Sequence, residues 1–294
     1  MKSDPFVYWV SAARGGGSGG KRLAPLIGGK GVGLIDCLNA GLQVPASAVL
    51  TTEAFWRQAS DIGLDRVAME YRADAIRRSS MAPEIVETLT TLADTLGPKR
   101  LAIRSSAVVE DSCQASWAGQ FETRLNVTGG ALQRAVLECW ASLFEHQALR
   151  YAERQEVSLG DVGMAVIVQR MVRPKWAGVV FTDSDEQGRM VKDQAALEAV
   201  RGLGARLVAG EATPEIRMLC ELNGGRVIAS SLNLDRLRGR SLPEDWIMGP
   251  SEVRELMDGC CRLQATTKQR RLDIEWAWND RGFSFLQCRP LVRD

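Results

Sequence analysis

Histidine is almost absent from this 294-residue chain, which contains only His146. Seven cysteines are present, but no two have Cys-x-x-Cys spacing. A zinc site built from closely spaced cysteines and histidines is therefore not indicated. An odd number of scattered cysteines is typical of proteins in a reducing compartment, where disulfides are rare. We therefore expect a cytoplasmic location.

An excess of charge of one sign is also lacking, because 37 basic residues are balanced by 36 acidic ones. This balance gives no indication of nucleic acid as a partner. No apolar run approaches the length needed to cross a bilayer, and the N-terminus lacks the apolar segment of a signal peptide, so we expect no membrane association. The hydrophobic content of 45% is enough for the core of one large domain or two lobes.

What the sequence does contain is a strongly patterned stretch near its C-terminus. Residues 273–278 and 283–289 alternate in the manner of strands, and Asn279–Gly282 provides turn residues between them. If Asn279 pairs with Phe283 across a three-residue loop, the two strands form an antiparallel hairpin of defined register.

In that register Asp273 lies opposite Arg289, and Glu275 lies opposite Gln287. Because side chains alternate between the faces of a strand, these four polar groups share one face. Hard oxygen ligands beside a cation are what Mg²⁺ and a polyphosphate require. The alternative is an ion-paired sheet surface. The opposite face carries the residues expected in the core: Ile274, Trp276, Leu286 and Cys288.

Two glycine-rich segments lie near the N-terminus. Gly15–Lys21 nearly matches a P-loop, but Arg22 replaces the Ser or Thr that would hold Mg²⁺, which favours a flexible loop. The segment 27–41 predicts a glycine loop, then a helix that ends at Asn-Ala-Gly. Backbone amides at such a helix start can hold phosphate, and Lys30 would add positive charge.

Further candidates follow along the chain. Residues 101–106 predict a strand ending in Arg104 and two serines, and residues 115–120 form a small-residue loop suited to covering phosphates. Arg104 could instead form a salt bridge to Glu110 or Asp111. Residues 164–172 predict a buried strand, and its end at Gln169–Val172 is a candidate hinge whose backbone could hydrogen-bond an adenine edge. Residues 251–268 predict a helix. Residues 131–155 predict one long amphipathic helix. His146, within that helix, is more typical of a helix surface or packing position than of a phosphocarrier.

Taken in order, these segments resemble the N-terminal nucleotide-binding domain of the pyruvate phosphate dikinase and phosphoenolpyruvate synthase family, which rifampicin phosphotransferase shares. Any single motif is weak, but the ordered set is specific and spans about residues 27–291. The motifs are Gly28–Gly31, Val44–Pro45, Thr51–Glu53, Arg104–Ala107, Glu110–Asp111, Ala115–Gln120, Val168–Val172, Ala177–Thr182, Gly202–Gly204, Gly210–Pro214, Asp273–Trp276 and Leu286–Pro290.

The resemblance implies an α/β (α+β) ATP-grasp fold of two lobes with the nucleotide between them. The first lobe would comprise residues 1–170 and the second residues 171–294. The resemblance also implies the cofactors ATP and Mg²⁺, with Lys30, Arg104 and Arg289 as the catalytic contacts to phosphate. Glu275 and Gln287 would bind the metal. The other nucleotide-binding residues implied are Ser116, Trp117, Ala118, Gly119, Gln120, Gln169, Met171, Val172, Glu211 and Asp273.

The function expected is an ATP-dependent phosphotransferase, because phosphoryl transfer needs positioning and neutralised charge more than a nucleophile. In the family a phosphorylated histidine domain and an acceptor domain follow this one. The acceptor here would therefore be a histidine on a partner protein or a small molecule. Ala205, where the family carries an acidic residue, leaves a second interpretation open: a nucleotide-binding module without turnover.

Overall fold

The computed structural model describes residues 4–11, 19–97, 99–109, 117, 119–185, 187–232 and 248–291. Helices and antiparallel sheets are mixed throughout, as the predicted α+β class requires. The chain divides into two compact units: one comprises residues up to Ile35 together with Pro45–Met171, and the other comprises Asp36–Val44 together with residues from Val172 onwards.

The first unit contains a five-stranded sheet flanked by helices. Its strands lie in the order β1-β2-β5-β3-β4, with every neighbouring pair antiparallel. The elements in chain order are β1 (Val7–Trp9), α1 (Gly19–Asn39), β2 (Ser47–Leu50), α2 (Thr52–Asp61), α3 (Arg72–Arg78), α4 (Pro83–Leu96), β3 (Leu101–Ala107), β4 (Thr123–Val127), α5 (Leu132–Ala141), α6 (His146–Arg154) and β5 (Met164–Arg170).

The second unit contains a six-stranded antiparallel sheet of order β11-β10-β6-β7-β8-β9. The last four residues of α1 belong to this unit. Its elements are β6 (Trp176–Ser184), β7 (Met190–Arg201), α7 (Ala205–Val208), β8 (Ile216–Glu221), β9 (Val227–Leu232), α8 (Pro250–Thr267), β10 (Leu272–Asn279) and β11 (Gly282–Pro290). Among the described residues, none of the helices has the length and apolar character needed to cross a lipid bilayer.

Each unit has its own apolar core. In the first, β3 and β5 are buried along almost their whole length beneath α2, α4 and α5. In the second, α8 buries Leu256, Met257 and Cys260 with the core-facing residues of β10 and β11. Strands that pack on these two cores carry Arg104 in the first unit and the polar residues of β10 and β11 in the second.

The predicted continuous helix over residues 131–155 is wrong. It is broken into α5, a 3₁₀ turn at Ser142–Phe144 and α6, with Glu145 in an extended conformation. Ser142 Oγ donates to Cys139 O at 2.6 Å and accepts from Glu122 N at 3.1 Å, while Leu143 and Phe144 are buried. The helical periodicity of the sequence does not reveal this break, because apolar residues continue through it.

Candidate functional site

Lys30 lies within α1 and not on a loop, so the predicted glycine loop before the helix is wrong. The single interruption is at Gly28, where φ is +68° and two helical segments meet at a kink. A new helical segment therefore does begin immediately before Lys30. The predicted helix end is confirmed: Gly41 has φ +69°, and Gly41 N and Leu42 N donate to the last turn of the helix. The P-loop-like segment lies largely outside the described residues.

Arg104 lies in the middle of β3, where it pairs with Ile167 of β5 and Thr123 of β4. It is only 9% exposed, which is unusual for an arginine. The structure brings Lys30 to the same place along the strand, because Lys30 Nζ donates to Ser105 O at 2.9 Å. Two cationic side chains of the predicted set therefore converge at one point of the first unit. Glu110 and Asp111, the alternative partners of Arg104, lie outside the described residues.

Part of the predicted covering loop is visible. Trp117 is 2% exposed, stacks on Phe121 with ring centroids 5.4 Å apart, and meets Tyr151 edge-on at 4.8 Å. Its ring is thus an anchor in the core of the first unit. Gly119 has φ +69° and is exposed, and Gln120 is half-buried. Ser116 and Ala118 lie outside the described residues.

The predicted adenine hinge, Gln169–Val172, follows the end of β5. The Gln169 side chain is buried and donates to Ser47 Oγ at 3.0 Å, so it packs inside the sheet. Met171 N donates to Arg100 O at 2.9 Å. Met171 and Val172 are both half-buried. Any hydrogen bond to adenine by the Met171 amide would therefore have to replace the one to Arg100.

The hairpin of β10 and β11 places the predicted polar pairs opposite each other: Asp273 with Arg289, and Glu275 with Gln287. The predicted three-residue loop is wrong, because Asn279 pairs with Gly282 across a two-residue loop. A register shift between Glu275 and Trp276 then restores the predicted pairing.

Leu286 is the extra residue at this shift. The prediction that Leu286 belongs to the core is consequently wrong, since it is half-buried and Phe285 faces Trp276 in its place. Ile274, Trp276 and Cys288 are buried as predicted. The hydrogen bond between the Cys288 thiol and Cys37, and after it burial, raise the pKa of Cys288.

The polar face of the hairpin is nearly closed to solvent. Asp273, Glu275 and Gln287 are 8%, 7% and 3% exposed. Arg289 donates to Asp273 Oδ2 through Nε at 3.0 Å and through Nη2 at 2.6 Å. Burial raises the pKa of Asp273, and the neighbouring Arg289 opposes that rise. Two carboxylates buried side by side call for positive charge on this face.

The donor set of this face fits Mg²⁺. Within the part of the chain that the structure describes, no group of three or more His, Cys, Asp or Glu is placed to hold a metal. Mg²⁺ does not need such a cage, because it commonly binds one or two carboxylates and takes its remaining ligands from phosphates and water. With Asp273 engaged by Arg289, the candidate ligands are Glu275 and Gln287.

Three other positions singled out in the sequence are exposed. Glu211 is exposed, its carboxylate is 3.8 Å from Arg206 Nε, and its backbone N donates to Arg206 O. Ala205 begins the short helix α7. His146 is exposed at the start of α6 and accepts from Arg150 Nε at 2.9 Å. This location matches a surface histidine.

Sequence reasoning assigned no role to Ser106 or Gly178. Ser106 is fully buried and its hydroxyl contacts α1 on both sides of the Gly28 kink. Gly178, in β6, lies opposite Trp276, and a Cβ there would be 2.8 Å from the Trp276 ring and 2.0 Å from Glu198 O. A glycine inside an apolar strand is the signal of such close approach.

Comparison with known proteins gives one family. The family model of the pyruvate phosphate dikinase AMP/ATP-binding domain matches residues 24–294. A probable phosphoenolpyruvate synthase of Methanothermobacter thermautotrophicus is 32% identical over 309 residues, covering 93% of this chain and 45% of that protein. A rifampicin phosphotransferase of a Streptomyces species is 32% identical over 300 residues, covering 90% of this chain and 34% of that protein. The chain thus spans less than half the length of these relatives.

Among solved structures, the dinucleotide-forming acetyl-coenzyme A synthetase 1 of Ca. Korarchaeum cryptofilum matches 87% of this chain and 89% of its own. The identity is 11% and the TM-score is 0.42. A likeness of this degree supports no inference about the chemistry of this chain.

Proposed function

The chain belongs to the family of the pyruvate phosphate dikinase AMP/ATP-binding domain, and we propose that it is the ATP-binding part of an ATP-dependent phosphotransferase. The proposal includes the two ATP-grasp lobes predicted from the sequence, residues 1–170 and 171–294. It also includes a cytoplasmic location, which the free cysteines among the described residues favour.

The observation that carries the proposal is the buried polar face of β10 and β11. Burying Asp273, Glu275 and Gln287 together is costly for a purely structural surface. The same arrangement is useful if a divalent cation is to be held. Mg²⁺ bound there would neutralise phosphate charge as it develops during transfer. Glu275 and Gln287 would hold it, and Asp273 would keep Arg289 oriented for a phosphate oxygen.

The first unit would supply the other phosphate contacts. Lys30 would contribute an ammonium group held beside Ser105 O, and Arg104 would contribute a planar guanidinium group. Cations held by a rigid strand and helix need little reorganisation when phosphate charge changes, which is how electrostatic catalysis works. Among the described residues we assign no covalent nucleophile.

The acceptor is proposed by chemical class. It would be a histidine on a partner domain or protein, or a small molecule. The relatives include proteins named phosphoenolpyruvate synthase and rifampicin phosphotransferase, and those names do not specify an acceptor for this chain.

Ala205 supports a second candidate, a nucleotide-binding module without turnover, because this position loses the acidic group expected there. Under this alternative ATP would bind with Mg²⁺ but would not be consumed.

Incubation with ATP labelled at the β or γ phosphate tests the proposal. AMP formation that requires a histidine-bearing partner supports a dikinase, and ADP formation with a small molecule supports a direct kinase. Mg²⁺-dependent binding without turnover, with histidine-domain and small-molecule acceptors both supplied, supports the module and overturns the phosphotransferase. Absence of ATP binding overturns both.

Glu275→Gln tests the metal assignment separately. We expect the side chain to keep its shape but bind Mg²⁺ much more weakly, so that Mg²⁺-dependent ATP affinity falls at least tenfold, as charged metal ligands require. Glu255→Gln, on the exposed side of α8, is the matched control and should change nothing. Unaltered Mg²⁺ dependence in folded Glu275→Gln would refute the role of Glu275.

A further inference from the structure

The kink in α1 is bridged by a side chain from another element. In an uninterrupted helix, Gly31 N would donate to Ile27 O, four residues earlier. Here Ser106 Oγ stands between these two groups: it accepts from Gly31 N at 3.2 Å and donates to Ile27 O at 2.8 Å. The hydroxyl thus replaces the missing helical hydrogen bond, which is a recognised cause of helix kinks.

Gly28 makes this insertion possible. A Cβ at Gly28 would lie 2.1 Å from Ser106 O and 2.4 Å from Ser106 Oγ, and the backbone there has φ +68°. Only glycine combines that conformation with so close an approach. The kink, the glycine and the hydroxyl therefore form one unit that fixes α1 against β3.

The same contact controls where Lys30 stands. Lys30 lies between Gly28 and Gly31, the two residues in contact with Ser106, and its Nζ donates to Ser105 O at 2.9 Å. Ser106 and Arg104 are two residues apart on β3, so their side chains leave the same face of the sheet. The start of the second helical segment is thereby held over the face that carries Arg104.

We propose that Ser106 is a positioning residue for Lys30: its hydroxyl holds the kinked helix so that the ammonium group meets ATP phosphate beside Arg104. This inference rests on the proposed function, since it takes Lys30 to be a phosphate contact. It adds a residue that acts through Lys30 without touching the nucleotide itself.

Ser105 provides the matched control. It is as deeply buried as Ser106, but among the described residues its Oγ has no hydrogen-bond partner. Its side chain leaves the opposite face of the strand. Ser105→Ala and Ser106→Ala therefore make the same chemical change one residue apart, and only the second removes a bridge to α1.

The experiment compares affinity for Mg-ATP with affinity for adenosine, by calorimetry and competition, in wild type and both variants. Because Lys30 would contact only the phosphates, Ser106→Ala should weaken ATP binding by roughly tenfold and leave adenosine binding unchanged. Ser105→Ala should leave both unchanged. In a Lys30→Ala background, Ser106→Ala should cause no further loss of ATP affinity, because the group it positions is already absent.

Equal losses for ATP and adenosine, an undiminished ATP affinity, or full additivity with Lys30→Ala would each overturn the inference. If Ser106→Ala does not fold, Ser106→Cys carries the test, since it fills the space with a much weaker donor and acceptor. Failure of wild type to bind ATP would instead overturn the proposed function, so the two failures are distinguishable.

Discussion

At the scale of single residues, Gly28 combines a left-handed backbone with close packing, since a Cβ there would lie 2.1 Å from Ser106 O. We expect Gly28→Ala to lower the free energy of unfolding by about 3 kcal/mol, because it adds a left-handed alanine and a steric overlap with Ser106. Gly63→Ala separates the two effects. Gly63 has φ +62°, but a Cβ there would meet nothing within 4 Å, so we expect a loss of about 1 kcal/mol. Urea denaturation measures both, and equal losses would contradict the overlap.

The Asp273–Arg289 pair gives a second residue-scale prediction. Removing the cation in Arg289→Met leaves a buried carboxylate without its partner. Because the Arg289 side chain is 22% exposed, we expect a loss of about 2 kcal/mol, below the ~3–5 kcal/mol typical of fully buried pairs.

Arg281→Met, in the exposed turn of the same hairpin, is the control and should stay within about 0.5 kcal/mol of wild type. The measurement is chemical denaturation of both variants. Equal stability of the two would show that the Asp273–Arg289 pair does not stabilise the fold.

For the hairpin, the sequence predicted the strand pairing correctly and the length of the turn incorrectly. Alternation together with an assumed three-residue loop predicted that Glu275 lies opposite Gln287, and this pairing is confirmed. The predicted loop was one residue too long, and the bulge at Leu286 adds that residue back. Two errors of one residue therefore cancelled. Turn length and bulges depend on twist and on packing against a neighbouring strand, which alternation does not report.

At the scale of elements, the contact between β6 and β10 sets the position of the polar hairpin. Because Gly178 has no side chain, the Trp276 ring can approach β6 closely at this pairing. We expect Gly178→Ala to destabilise the fold by about 2–3 kcal/mol and to weaken Mg²⁺-dependent ATP binding, since the added Cβ overlaps Glu198 O and the Trp276 ring.

Gly130→Ala is the control for this substitution, because a Cβ there meets nothing within 4 Å. It should be close to neutral. Thermal unfolding measures the loss of stability, and calorimetry measures Mg²⁺-dependent ATP binding. If Gly178→Ala has the stability and the Mg²⁺ dependence of wild type, the predicted role of this close contact is wrong.

Helix α5 provides a prediction about pH. Burial alone would raise the pKa of Glu138, but hydrogen bonds and charge from Arg77 and Arg134 outweigh it, and the pKa is lowered. Arg77 Nε lies 2.9 Å from the carboxylate. A lowered pKa contributes stability that is fully present above the ordinary value and is lost as the pH falls through the lowered one.

Glu138→Gln should therefore cost about 1 kcal/mol near neutral pH, and that cost should shrink as the solution is acidified through the lowered pKa. Exposed Glu87→Gln, on α4, is the control and should leave the pH profile unchanged. Denaturation at a series of pH values measures the difference. A cost for Glu138→Gln that is independent of pH would contradict this assignment.

Helix boundaries show what periodicity predicts at this scale. The helix at Pro250–Thr267 matches the predicted 251–268 closely, because a proline and a change of pattern mark its ends. The break at Ser142–Phe144 and the kink at Gly28 were not predicted. Both depend on a serine hydroxyl hydrogen-bonded to another part of the chain, at Glu122 and Ile27 respectively. The pattern of apolar residues within one segment does not predict hydrogen bonds to residues that are distant in the sequence.

At the scale of the whole molecule, the order of motifs predicted more than any single element. Family membership rested on a dozen short segments in sequence, and the family model confirms it over residues 24–294. The same order does not assign an acceptor, because acceptor recognition is not encoded in nucleotide-binding motifs. It also says nothing of Ala205 beyond the loss of one charge.

Hydrogen exchange tests the proposal on the whole chain. If Lys30 and Arg104 contact ATP phosphates while Glu275 and Gln287 hold Mg²⁺, then Mg-ATP should slow exchange in residues 27–31 and in β10–β11. The stabilisation should reach about 2.7 kcal/mol at a hundredfold excess over Kd. Helix α4 serves as the internal control and should gain only the general stabilisation.

Glu275→Gln should abolish the protection of β10–β11, because the link from this hairpin to the phosphates would run through the metal. ATP with EDTA should act on wild type in the same way. Exchange that Mg-ATP fails to slow in either segment, or protection of β10–β11 that persists without Mg²⁺, would contradict these assignments, since a ligand slows exchange only where the bound state opens less often.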